Sequence, residues 1–226
     1  MVQTSFDFPF SNQYLDEEFL LSESNIKAFN FILNYNLNDK NLPKIFAIYG
    51  KKNSGKTHLS YIWQRKVNAE FLNIDDLKDY EIANNIEENN SYIIENIEKI
   101  KNQTVLFHIF NIIVEKNCNL MLTSSLDLKQ IQYDFADLES RLKNIVSIKI
   151  KEPDTDFVKM LLIKQFANKQ LFVEDQVIDY LAKNIDRDYE KIMQIAKLLE
   201  FYCFEEKRKI TIPFVSDVLE KNKGNN

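Results

Sequence analysis

Glycine, cysteine and proline are scarce in this 226-residue chain, with three, two and four copies, and each shortage is informative. Cys118 and Cys203 are far apart and have no CxxC spacing or histidine partner, so neither a disulfide framework nor a thiolate metal site is indicated. Both stand in apolar context and are expected to act as small buried hydrophobes. No apolar run reaches the roughly 18 residues of a membrane span, and the start lacks a basic segment followed by an apolar one. A cytoplasmic protein with no membrane contact is therefore expected. The net charge of −5 argues against a DNA-binding face spread over the whole chain, and Lys207-Arg208-Lys209 reads as a solvated turn. An average chain of this length would hold about 16 glycines. Of the three here, Gly50 and Gly55 lie five residues apart. The backbone needs them there.

Hydrophobic residues make up 45% of the chain, enough for a substantial core. The patterning predicts helices over Asn25–Tyr35 and Lys56–Arg65, and a third over Thr104–Lys116 with Leu106, Phe107, Phe110 and Val114 as its apolar face. Strands are predicted at Lys44–Tyr49, Glu70–Ile74, Tyr92–Glu95, Leu120–Thr123 and Ile145–Ile150. Strands separated by helices imply a mostly parallel sheet covered on both faces. After Pro153 the pattern is purely helical: one helix capped by Asp154 or Thr155, then Asp175–Asn184, Tyr189–Phe204 and Phe214–Lys221. The expected organisation is an extended tail over residues 1–12, an α/β domain over 13–152 and a small all-α domain over 153–226.

Gly50-Lys51-Lys52-Asn53-Ser54-Gly55-Lys56-Thr57 matches GxxxxGK[ST] in full, between a predicted strand and a predicted helix. The glycines let backbone N–H groups curl around phosphates, and the helix opening at Lys56 adds its positive end. Lys56 is expected to reach the β- and γ-phosphates of ADP or ATP, and the Thr57 hydroxyl to take a Mg²⁺ position. Glu95, ending the third strand, is the candidate acidic partner of that metal. The next position, where a water-activating carboxylate is expected, holds Asn96, which has no basic lone pair at neutral pH. Binding is thus indicated and hydrolysis in cis is not, unless a rearranged strand end brings Glu98 into use.

Several stretches, in order along the chain, resemble the DnaA family of AAA+ proteins. Phe19-Leu20-Leu21-Ser22-Glu23-Ser24-Asn25 is similar to the family segment bordering the nucleotide base. Leu106-Phe107-His108-Ile109-Phe110-Asn111 resembles the helix after the acidic strand. Met121-Leu122-Thr123-Ser124-Ser125 resembles the sensor-1 strand, with Thr123 and Ser124 as the polar groups near the γ-phosphate. Asp137-Leu138-Glu139-Ser140-Arg141-Leu142 is similar to box VII, which supplies an arginine finger to a neighbouring subunit. Lys151–Glu200 resembles the lid, where alignment puts Glu190 at the sensor-2 arginine position and leaves Arg187 as the better candidate.

The resemblance is best to the short Hda branch, which lacks the initiator's N-terminal partner domain and C-terminal helix-turn-helix; only about 70 residues follow Pro153 here. Gln3, Phe6 and Phe8 resemble a clamp-binding peptide, the alternative being a tail whose phenylalanines pack back on the body. What this implies is a nucleotide-bound regulator of chromosome replication initiation. It would be tethered to the DNA polymerase sliding clamp and would promote hydrolysis of DnaA-bound ATP through Arg141 in trans. Intrinsic ATPase activity would be weak at most, sequence-specific DNA binding absent, and self-association open. Three readings compete with it: a purely structural Arg141 paired with Asp137 or Glu139, an AAA+ ATPase acting as a helicase- or clamp-loader-like factor, and a nucleotide-binding scaffold that has lost its partner.

Overall fold

The computed structural model describes residues 18–73 and 86–223. Five strands, β1 (Ile45–Tyr49), β2 (Glu70–Phe71), β3 (Ser91–Ile94), β4 (Asn119–Ser124) and β5 (Val146–Lys149), form one parallel sheet in the order β2-β3-β4-β1-β5. Helices α1 (Ile26–Asn34), α2 (Lys56–Val67), α3 (Gln103–Glu115) and α4 (Ala136–Asn144) flank it. Side chains alternate across a strand, and the core divides accordingly. Phe46, Ile48, Ile93 and Met121 join the cluster of α1 and α2, whereas Ala47, Tyr92, Ile94, Leu120 and Leu122 join that of α3 and α4. Burial on both faces explains why the central strands read as unbroken apolar runs.

Two expectations need adjusting. β2 is shorter than predicted: pairing stops at Phe71, with the Leu72 N–H donating to the Ile93 carbonyl at 2.8 Å, and Ile74 lies outside the described residues. The buried stripe of α3 is Val105, Leu106, Ile109, Phe110 and Ile113, leaving Val114 54% exposed. Ile109 and Ile113, four apart, set a stripe one position earlier than the one built on Phe110 and Val114.

Beyond β5 the described residues form only helices: α5 (Thr155–Asn168), α6 (Asp175–Asn184), α7 (Tyr189–Glu205) and α8 (Ile212–Lys223). Asp154 caps α5, its carboxylate accepting the Phe157 N–H at 2.8 Å, and Asp188 caps α7 by accepting from Glu190 and Lys191. These helices share their own core around Leu162, Leu181, Ile192 and Val215. The helical unit is anchored to the sheet domain by Phe157 and Tyr189, which pack into the α1–α2 core. The buried Tyr189 hydroxyl donates to the Lys151 carbonyl at 3.1 Å and lies 3.1 Å from Ser24 Oγ.

The two cysteines are free; Cys118 is buried, as expected, but Cys203 is only half-buried near the end of α7. Lys207-Arg208-Lys209 is an exposed turn, with the Arg208 guanidinium over the Phe214 ring at 5.2 Å. Among the described residues no helix is long and apolar enough to cross a membrane.

Candidate functional site

The turn from β1 into α2 is held by features that few sequences satisfy. A Cβ at Gly50 would lie 2.9 Å from the Ile150 carbonyl oxygen and 3.1 Å from Ser54 Oγ, so only glycine fits unshifted. Gly55 adopts φ +96 and Asn53 φ 63, both in the left-handed region where glycine and asparagine are at home. These two turns fold the loop back on itself and aim the start of α2 into a cavity, where its first N–H groups lack helical partners. Lys56 is buried under the loop, and its ammonium donates to the Gly50 carbonyl at 2.7 Å and the Lys51 carbonyl at 3.0 Å. Burial pushes its pKa down; Glu98 and then Glu95 oppose that shift, and the Lys99 charge adds to it.

The facing wall comes from β3 and β4, whose parallel register sets Ile94 against Leu122. The chain turns sharply after Glu95 because Asn96 adopts φ 54, opening a 3-10 turn over Ile97–Lys99. The Asn96 N–H donates to Thr123 Oγ1 at 3.1 Å, and Ser60 Oγ donates to Glu95 Oε1 at 3.0 Å. This turn tucks Glu98 inward, so that both carboxylate oxygens are buried without a hydrogen-bond partner among the described residues. Ser124, paired with Tyr49 at the end of β1, uses its hydroxyl to accept the Leu126 N–H at 3.0 Å.

Between these walls and α5 of the helical unit lies a cavity of about 560 Å³. Lys52, Asn53, Gly55, Lys56, Thr57 and Asn96 line it from the sheet side, and Leu161, Lys164, Gln165 and Met193 from the helical side. It runs into a smaller recess of about 130 Å³ bounded by Phe19, Leu20, Phe157 and Tyr189. Phe19 stacks on Phe29 at 5.3 Å and meets His58 edge-on at 5.1 Å, so His58 serves as packing there. One end is thus rich in N–H groups and ammonium, the other apolar and aromatic.

Most of the loop residues anticipated from the motif converge here. Glu95 faces an adjoining hollow of about 300 Å³ beside Phe71 and Leu72, and Gly50 and Lys51 face another beside Ser125 and Lys149. Ser54 Oγ is buried without a hydrogen-bond partner among the described residues. Arg187 is not brought to the cavity; its guanidinium donates to Thr155 Oγ1 at 2.8 Å, at the start of α5. Instead, acid faces the loop from the helical unit and from the connection leading into it: Lys51 pairs with Glu152 at 2.9 Å and Asp188 at 3.1 Å, and Lys52 with Glu190 at 2.5 Å. These contacts with Glu152 and then Asp188 hold the Lys51 pKa up. Burial works against the Asp188 carboxylate, but Lys51 and two backbone N–H groups keep its pKa low.

Arg141, on α4, also lies away from the cavity; it pairs with Asp137 at 2.9 Å and donates to Asn111 Oδ1 at 2.9 Å, with its side chain 39% exposed. Gln3, Phe6 and Phe8 fall outside the described residues. Lys99 and Lys164, which line the cavity, were not singled out from the sequence. Lys99 stands four residues after Glu95 and could have been noticed; Lys164 carries no local signal.

A parallel sheet of this strand order, a phosphate loop after β1, which lies between β4 and β5, and a helical lid across the cavity define an AAA+ P-loop protein. Residues 154–219 match the family model described as "Hda, lid domain". The chain is 26% identical over 236 residues to the chromosomal replication initiator protein DnaA of Buchnera aphidicola subsp. Cinara cedri, covering 94% of this chain and 54% of that protein. It is 27% identical to the DnaA of Spiroplasma citri, covering 91% of this chain and 52% of that one. The chain thus spans about half the length of these relatives. Domain III of Thermotoga maritima DnaA superposes with a TM-score of 0.74 at 18% identity, covering 95% of this chain and 98% of that one. Over 94% of its length the chain is thus similar to DnaA, and its helical unit matches the Hda lid model.

Proposed function

We propose that the chain is a nucleotide-bound regulator of chromosome replication initiation that works on a partner's ATP rather than turning over its own. The observation that carries this reading is the pairing of a complete phosphate loop with Asn96 at the water-activating position. A bound ADP or ATP would lay its phosphates along the N–H groups of Asn53–Thr57 and its base in the recess at Phe19 and Tyr189. DnaA structures similar to this one in fold are described as bound to the nucleotide analogue AMPPCP. Mg²⁺ would be held by the Thr57 hydroxyl and Glu95, with phosphate oxygens completing its shell, as this ion commonly requires. Among the described residues no group of three His, Cys, Asp or Glu is placed to hold a metal ion.

Arg141 is the residue we assign to the partner's site, a DnaA initiator bound to ATP. A guanidinium set against transferring phosphate oxygens contributes about 10³–10⁵ in rate in other NTPases. Its half-exposed position outside the chain's own cavity supports a role in trans, and its exposed pair with Asp137 is weak enough, at about 1 kcal/mol or less, to exchange for a phosphate. The first ten residues would tether the protein to the sliding clamp through Gln3, Phe6 and Phe8.

The test is the conversion of initiator-bound ATP to ADP over time with clamp-loaded DNA present. Arg141→Ala and Arg141→Lys should both abolish stimulation while retaining nucleotide and clamp binding, since lysine lacks the planar fork. Phe6→Ala with Phe8→Ala should abolish clamp binding and leave nucleotide binding intact. Full stimulation by Arg141→Ala would end the finger assignment. A second reading, an ATPase of the helicase- or clamp-loader type, draws on Glu98, whose carboxylate stands close enough to support the Lys56 charge. Steady-state turnover by the isolated protein that Glu98→Gln removes would favour it.

A further inference from the structure

The cavity holds more cations than the phosphate motif supplies. Lys52, Lys56, Lys99 and Lys164 all line it. Three of them are committed. Lys56 is folded into the loop, Lys52 is paired with Glu190, and Lys164 donates to the Glu18 carbonyl. Lys164 also borders the aromatic recess with Phe19 and Tyr189, which places it toward the base end. Lys99 differs on each count. It is exposed, it lies on the turn directly after Glu95 and Asn96, and among the described residues no carboxylate pairs with it. Its backbone N–H donates to the Asn96 carbonyl at 2.9 Å, fixing the turn that aims it. Its charge is felt at Lys56, where it opposes the neighbouring Glu98 and Glu95.

We propose that Lys99 is the cation that meets the terminal phosphate of a nucleoside triphosphate, supplied from the chain's own β3 turn while the lid presents Glu190. The inference rests on the nucleotide reading given above. With Lys164 at the base end and Lys56 in the loop, a diphosphate is served without Lys99. A third phosphate extends toward Thr57 and Asn96, which line the same cavity as Lys99. Lys99 therefore acts on the difference between di- and triphosphate rather than on binding as a whole.

The experiment is titration of the full chain with ADP and with ATP, each with Mg²⁺, at low and high salt. Lys99→Ala should weaken ATP binding about five- to tenfold, the size of one ordinary solvent-exposed hydrogen bond, with ADP binding changed less than about twofold. Lys99→Arg should restore the wild-type ratio. The effect should shrink at high salt, because an exposed charge is screened. Lys164→Ala should weaken both nucleotides alike. A Lys99→Ala protein whose ADP and ATP affinities fall together, or do not fall, overturns the proposal. Lys56→Ala tests the reading beneath it: if that variant binds both nucleotides as tightly as wild type, the nucleotide site itself is wrong, whatever Lys99 does.

Discussion

The phosphate loop and the start of α7 face each other across one cavity, yet they are built on different principles. The loop is fixed by backbone geometry: Gly50 packs against Ile150, Asn53 and Gly55 occupy left-handed φ, and Lys56 is 7% exposed. The α7 side meets it through the exposed pairs of Lys51 and Lys52 with Asp188 and Glu190, each worth at most about 1 kcal/mol. Backbone geometry tolerates few residue types, so the loop keeps its pattern and can be recognised. Exposed charges can be exchanged in sets, so the lid side can dock through many different pairs. Two halves of one site can thus differ greatly in how freely their sequences drift.

The sharpest way to break this comparison is at the loop itself. Gly55→Val places a branched side chain at φ +96, against the Phe19 ring, and Lys56→Ala removes the buried ammonium. Both should leave no nucleotide binding measurable by calorimetry. The fully buried Trp63, the chain's single tryptophan, reports through its emission whether the fold survives. Wild-type affinity in both variants would mean that the constrained half is not the binding half.

A smaller change is expected at Asn96. Its left-handed conformation suits aspartate as well as asparagine, so Asn96→Asp should fold normally and raise intrinsic ATP hydrolysis by about 10²-fold through general-base help. An unchanged rate of phosphate release would shift attention to Glu98.

On the lid side the effects should be modest. Glu190→Gln removes the partner of Lys52 and an anion beside the cavity, so nucleotide affinity should rise about twofold while stability changes by less than about 1 kcal/mol. A loss of affinity would show that Glu190 helps to hold the ligand. The smallest effect is that of pH on the Lys51–Asp188 pair. The low Asp188 pKa makes its contribution complete above the ordinary carboxylate range, to be lost as pH falls through the folded value. The raised Lys51 pKa keeps the contribution until pH climbs past the ordinary lysine value near 10.5. Melting temperatures measured between about pH 5 and pH 9 should show no step from this pair.

What the sequence made legible follows the same division. The loop, the α/β alternation and the change to an all-helical lid near Pro153 were readable because each rests on periodicity or on a backbone requirement. The order of the strands was not, since it is set by pairing between distant segments such as β1 with β4. Arg141 stands in a segment that resembles box VII, but its hydrogen bond to Asn111 joins two helices and has no local signature. Lys52 and Glu190, 138 residues apart, could not be matched by spacing, and Lys99 depends on a turn that begins with an asparagine in left-handed conformation. Val114 shows the limit on a single helix: periodicity gave the helix, while which of two overlapping stripes is buried depended on the sheet beneath it.

The contact of Gly50 with Ile150 also decides where the molecule can articulate. Ile150 donates its N–H to the Tyr49 carbonyl at 2.7 Å, and Lys151 donates to the Ser24 carbonyl at 2.9 Å. The strand leading out of the sheet is therefore riveted to the root of the loop until Lys151. From Asp154 onward the chain is already capped helix. Any swing of the helical unit must be absorbed by Glu152, Pro153 and Asp154, and the middle residue has its φ locked by a ring. Such a joint is short and stiff, with its fulcrum directly beneath the phosphate loop. A small displacement at the loop would reach the far end of α5 as a rotation, lever-fashion, provided that the Tyr189 hydroxyl lets go of Lys151 and Ser24.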